Sequence, residues 1–171
     1  MIIKFINKIT FLIKFMFDSN LFYKKSRSQN NNKENIFLDY LSNFIENKNF
    51  IEIGFHHLEF NCISLVKKNF RGLMIDGGRP INILLLKFIT FILRKDITII
   101  RKYLTRDNIL ESMRFKNIGC LSLDIDGNDY WILEKINNLS PTFIICEYNS
   151  VFGDIFRMSI PVSYTHLTLP T

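Results

Sequence analysis

The stretch LSLDIDGNDYW, Leu121 to Trp131, starts like a buried strand and then places three carboxylates within six positions, at Asp124, Asp126 and Asp129. Side chains alternate along a strand, so Ser122, Asp124 and Asp126 share one face while Leu121, Leu123 and Ile125 share the other. Two carboxylates on one face near a strand end repel each other unless a cation, a cofactor amine or backbone donors lie between them. Gly127 then releases the chain. Asp129 falls in the first turn of the following helix, where capping and the helix macrodipole are enough to account for it.

Working outward from this stretch, apolar runs alternate with helical patterns from Asn49 onward. FIEIGF, RGLMIDG, DITIIRKY, IGCLSLDID and TFIICEYN read as five strands. Between them, Asn61 to Lys68, Pro80 to about Arg94, Arg106 to Met113 and Asn128 to Asn137 read as helices, with Pro80 suited to a first turn. Such alternation predicts an α/β fold, a parallel sheet with helices on both faces.

Ligands of an open parallel sheet bind beyond the carboxyl ends of the strands, where strand order reverses. Polar residues at strand ends are therefore the candidates. They are Glu52 and Gly54 on the first strand, Asp76 and Gly77 on the second, Asp124 and Asp126 on the fourth, and Glu147 on the fifth. Gly54, with no Cβ, lets the first turn approach a ligand closely. Asp76 stands 22 residues beyond Gly54, where a carboxylate can accept hydrogen bonds from ribose hydroxyls; the competing account is a turn formed by DGG. His56 and His57 are adjacent and have no third histidine before residue 166, which argues against zinc. Neither Cys62 nor Cys146 has a base in a recognisable pattern, which argues against a cysteine nucleophile.

A chain of 171 residues is about one domain and can bury a sizeable core. Ile, Asn, Lys and Phe supply 76 residues and alanine is absent, which reads as the imprint of an AT-rich gene. The formal charge of +6 is spread through every segment instead of gathered into a patch, which argues against a nucleic-acid partner. Three widely spaced cysteines, Cys62, Cys120 and Cys146, lie among apolar neighbours and read as buried, reduced thiols of a cytoplasmic protein.

Residues 1–23 form an amphipathic helical segment in which Ile2, Phe5, Ile6, Ile9, Leu12, Ile13 and Met16 share an arc opposite Lys4, Lys8, Lys14 and Asp18. The lysines break the run of about 18 apolar residues that a membrane span needs. Residues 2–17 are expected to dock on the domain itself, with peripheral membrane contact as the alternative. Residues 24–48 read as a polar linker, Lys24 to Asn35, followed by a helix to about Asn47. Val162 to Thr171 contain no Ile, Asn, Lys or Phe. A back-translation of that tail resembles the transposon-end adapter used in sequencing-library preparation. His166 and Tyr164 are accordingly set aside, and the native chain is expected to continue beyond about Ile160.

Together FIEIGF, RGLMIDGG, CLSLDIDGNDYWILEKI and IICEYNSVFG resemble the FkbM-type branch of the S-adenosylmethionine-dependent methyltransferases, over about Phe50 to Ile160. The resemblance implies a Rossmann-like fold for 49–161, with the closing strands of that fold missing. It implies S-adenosylmethionine as cofactor and transfer of a methyl group to oxygen of a small or carbohydrate-like acceptor. Glu52 and Gly54 would belong to the first cofactor loop, Asp76 would hold the ribose, Asp124 would face the methionine portion, and Asp126 or Glu147 would act as base. A divalent ion bridging Asp124 and Asp126 is the less favoured variant. The loop EIGFHHLEFN has one glycine where many methyltransferases have two or three. Two other functions compete: a nicotinamide-dependent oxidoreductase, disfavoured by the lack of G-x-G-x-x-G, and a non-catalytic binding domain held at a membrane surface by residues 2–17.

Overall fold

A strand that is apolar on both faces needs cover on both faces. β1, Asn49–Ile53, meets that condition: Phe50, Ile51 and Ile53 are all buried. In the computed structural model, which describes residues 10, 14, 21–25, 32–125 and 127–146, β1 is the central strand of a five-stranded sheet. The other strands are β2, Arg71–Asp76, β3, Ile97–Arg101, β4, Cys120–Leu123, and β5, Phe143–Cys146. Their order is β3-β2-β1-β4-β5, and every pairing is parallel.

The helices follow from this order. The chain steps outward from β1 through β2 to β3, then crosses back to lay β4 and β5 on the other side of β1. Right-handed crossovers then put the helices of the two halves on opposite faces. On one face Phe50, Met74, Ile99 and Cys120 pack with residues of α1, Leu21–Lys25, α2, Asn32–Leu41, α3, Ile63–Lys67, and α4, Pro80–Ile92. On the other, Ile51, Ile53, Leu73, Ile75, Leu121 and Leu123 pack with α5, Ile109–Ser112, and α6, Asp129–Lys135. The α/β fold with a parallel sheet and helices around it is thus present, in the Rossmann-like manner.

Several boundaries differ from the sequence expectation. β4 stops at Leu123, one residue before Asp124, and Asp126 lies outside the described residues. α2 begins at Asn32, inside the stretch read as linker, and ends at Leu41 in a 3-10 turn, Ser42–Phe44. Tertiary contacts account for both changes. Leu38 is buried, and Lys68 Nζ pairs with Asp39 at 3.1 Å while donating to Ser42 Oγ at 2.6 Å. Cys62 and Cys120 are buried as expected, but Cys146 is exposed. It lies on the edge strand β5, where Phe143 and Ile145 pack on the core and the alternate residues Ile144 and Cys146 face outward.

Gly54 follows β1 with φ +80°. A Cβ there would stand 1.7 Å from the carbonyl oxygen of Asp124, so β1 and β4 can close on each other only through a glycine. The Gly54 amide donates to Ile75 O at 3.0 Å and the Asp124 amide to Ile53 O at 2.9 Å, extending both pairings past the strand ends. Because both the dihedral and the space exclude a side chain, Gly54→Ala is expected to destabilise the fold by about 3 kcal/mol or more, read as a lowered midpoint in urea unfolding.

Candidate functional site

Strand order reverses between β1 and β4, and the crevice beyond their carboxyl ends is the place where an open parallel sheet takes a ligand. The residues at those carboxyl ends are Gly54 and Phe55 after β1, Asp76 to Gly78 at β2, Tyr103 after β3 and Asp124 after β4. Adjacent strands lie about 4.8 Å apart, so β2 and β4, which flank β1, set the backbones of Asp76 and Asp124 roughly 10 Å apart on either side of it.

Asp76 ends β2 half-buried, with both oxygens engaged by backbone donors. Oδ2 accepts from the Phe55 amide at 3.2 Å, and Oδ1 accepts from the Gly78 amide. The second contact is the turn that DGG suggests, while the first ties β2 to the turn after β1. Each carboxylate oxygen has a further lone pair, so both contacts leave capacity for donors from a ligand. Gly77 lies against Tyr103: a Cβ at 77 would come 2.2 Å from that ring. Arg101 Nε donates to Gly78 O at 3.0 Å and holds the same turn from β3. Sequence reasoning overlooked Arg101 and Tyr103, although both lie at the end of a strand and the strand-end rule would have found them.

Glu52 does not reach the crevice. It points into the interior between the sheet and α3 and is fully buried. Its Oε1 accepts from the Asn61 amide and its Oε2 from the Cys62 amide, each at 2.8 Å. Ser122 Oγ donates to Oε1 at 3.3 Å, and Asn61 Nδ2 donates to Ser122 Oγ at 3.1 Å. This carboxylate therefore holds the loop after β1 and the entry to α3 against β4. Burial pushes its pKa up from 4.5 to about 6, against the lowering by the Cys62 side chain, the two backbone donors and Ser122.

The loop between β1 and α3 is pinned at two further points. His56 and Glu59 exchange backbone hydrogen bonds of 2.9 and 3.0 Å, making a small antiparallel turn. Phe60 is fully buried and stacks on Phe22 of α1 with ring centroids 6.1 Å apart. The rings of His56 and His57 lie 4.1 Å apart, and among the described residues no three His, Cys, Asp or Glu groups converge as metal ligands.

Asp124 is half-buried at the mouth of the crevice. Asp129 does something other than cap its own helix. Its carboxylate accepts from the Ile125 amide at 3.1 Å and the Gly127 amide at 3.0 Å, folding the loop after β4 back toward α6. Asp126 and Glu147, the two candidate bases, lie outside the described residues, as does the tail 162–171.

Scanned against models of known protein families the chain matches none, and no curated protein matches it either.

The raised pKa of Glu52 makes stability depend on pH with a definite sign. The contribution of its protonated form is fully present below about 4.5 and is lost as pH rises through about 6, because the folded state binds the proton more tightly than the unfolded chain. Between pH 4 and 7 the wild type is expected to lose up to about 2 kcal/mol relative to Glu52→Gln, which has no proton to release there. Denaturant unfolding of both proteins across that range measures the difference.

Proposed function

We propose that this chain carries the cofactor-binding fold of an S-adenosylmethionine-dependent methyltransferase acting on oxygen of a small or carbohydrate-like acceptor. The observation that carries the proposal is the position of Glu52. Dinucleotide-binding folds seat a pyrophosphate on free amides where the first loop enters the helix. Here the corresponding amides, those of Asn61 and Cys62, are taken by a buried carboxylate at 2.8 Å. A second anion at that position would meet like charge at close range. The rim of the crevice carries the carboxylates of Asp76 and Asp124. A ligand with ribose hydroxyls, a cationic centre and no phosphate suits that arrangement, and S-adenosylmethionine is such a ligand. Its sulfonium supplies the methyl group.

In this reading Asp76 accepts hydrogen bonds from the ribose, Gly54 and Phe55 line the floor, and Asp124 faces the methionine portion. Asp126 or Glu147 takes the acceptor's proton, a role that positions an acid within hydrogen-bond reach of the reacting oxygen. A metal-free site is preferred to a bridging divalent ion because no third carboxylate is placed in the sequence to complete the ligand set with Asp124 and Asp126. The acceptor class rests on the motif resemblance. Cytoplasmic placement is part of the same proposal and draws support from the buried, unbridged thiols of Cys62 and Cys120.

Isothermal titration calorimetry tests the proposal directly. S-adenosylhomocysteine is expected to bind and NAD is not; the reverse result would favour the oxidoreductase reading. Asp76→Ala is expected to weaken S-adenosylhomocysteine binding by about 1–3 kcal/mol, the loss of charge-assisted hydrogen bonds to ribose. An unchanged affinity would remove the ribose role of Asp76.

A further inference from the structure

α4 is apolar on two sides. Ile83, Leu86 and Ile89 bury against the sheet. On the opposite side Ile81, Leu84, Phe88, Phe91 and Ile92 are exposed, with Leu84 at 62% and Phe91 at 79%. At 100° per residue these five fall within one arc about 100° wide. Single exposed apolar residues are ordinary on a protein surface, but a continuous stripe along a helix marks a contact surface.

The charges around the stripe identify its partner. Lys87 flanks it, Arg79 precedes the helix and Arg94 follows it, all three exposed, while Lys95 is turned onto Asn69; from Gly77 to Lys95 there is no acidic residue. We infer that α4 is an interfacial helix that seats Leu84, Phe88 and Phe91 in the surface of an anionic lipid bilayer, with Lys87 and Arg94 at the level of the headgroups. Apolar side chains on one arc with lysine and arginine beside them form the pattern of helices that lie in the membrane plane. No helix among the described residues is long and apolar enough to cross a membrane, so the contact is with one surface.

Two other occupants fit the charges less well. A second copy of this chain, related by a twofold axis, would bring Lys87 and Arg94 against their own equivalents. Residues 2–17 of the same chain are also basic, with Lys4, Lys8 and Lys14 and no acid, and would add like charge beside Lys87 and Arg94. That segment instead shares the chemistry of α4. The chain that follows it, α1, ends beside the same region, where Lys95 Nζ and Lys67 Nζ each stand 5.6 Å from the Tyr23 ring. Apart from residues 10 and 14, the segment 2–17 lies outside the described residues, and α4 carries the inference by itself.

The test is co-sedimentation of the whole chain with vesicles of phosphatidylcholine alone and with phosphatidylserine added. Binding is expected to the anionic vesicles, to weaken as salt is raised, and to fall about tenfold in the double variant Leu84→Ser, Phe91→Ser. Equal binding to neutral vesicles, or anionic binding undiminished in the double variant, would overturn the inference, the second because residues 2–17 would then carry the contact alone. Two further results would also overturn it. A melting temperature several degrees lower in the double variant would mean that the stripe is covered within the chain. A concentration-dependent dimer in light scattering, dispersed by the double variant, would assign the stripe to a second copy.

Discussion

A carboxylate buried without compensation is costly, and a carboxylate that accepts two backbone amides and a hydroxyl is a strong tie. Glu52 is the second kind. From the middle of the central strand it reaches the amides of Asn61 and Cys62, and through Ser122 it reaches the neighbouring strand. The loop after β1, the start of α3 and the β1–β4 pairing thus share one anchor. Its raised pKa shows that the tie does not fully offset the loss of water, and the remainder is a standing demand that the fold keep those donors in place.

The crevice takes its form from the same anchor. With the first loop held down at Asn61 and Cys62, the chain between Gly54 and Phe60 must turn back on itself, and the His56–Glu59 pairing closes that turn. Phe55 is left with its amide pointing at Asp76. The floor is then set just past the paired ends of β1 and β4, where Gly54 closes against the Asp124 carbonyl. In the proposed reading, carboxylates at the rim and a carboxylate already occupying the helix entry favour cationic and hydroxyl-bearing ligands over phosphates. A basic, apolar outer face on α4 is compatible with that arrangement because it lies on the helical layer and not at the strand ends.

Much of the frame was legible in the residues. Five apolar runs of strand length, each separated by a helical pattern, specify a parallel sheet because a strand buried on both faces reads differently from one with a wet face. Asp76 was legible as a strand-end acid, and so was the turn it makes with Gly78. Periodicity failed where tertiary contacts decide. It extended β4 through Asp126, whereas the strand stops at Leu123, where Asp129 draws the loop amides of Ile125 and Gly127 to itself. It also placed Asn32 to Asn35 in a linker, although burial of Leu38 and the Lys68 contacts start α2 there.

The sequence by itself determined the class of fold and the places where polar residues leave the core, since both depend on local pattern and on the alternation of side chains. Only the tertiary structure decided which of those polar residues share a space. Glu52 and Asp76 look alike in sequence, each an acid near the end of an apolar run. One is turned inward and spent on backbone amides while the other is turned toward the opening. The difference lies in strand length and pleat, in a Glu two residues before the turn as against an Asp at the last paired position, and in donors that come from segments distant along the chain.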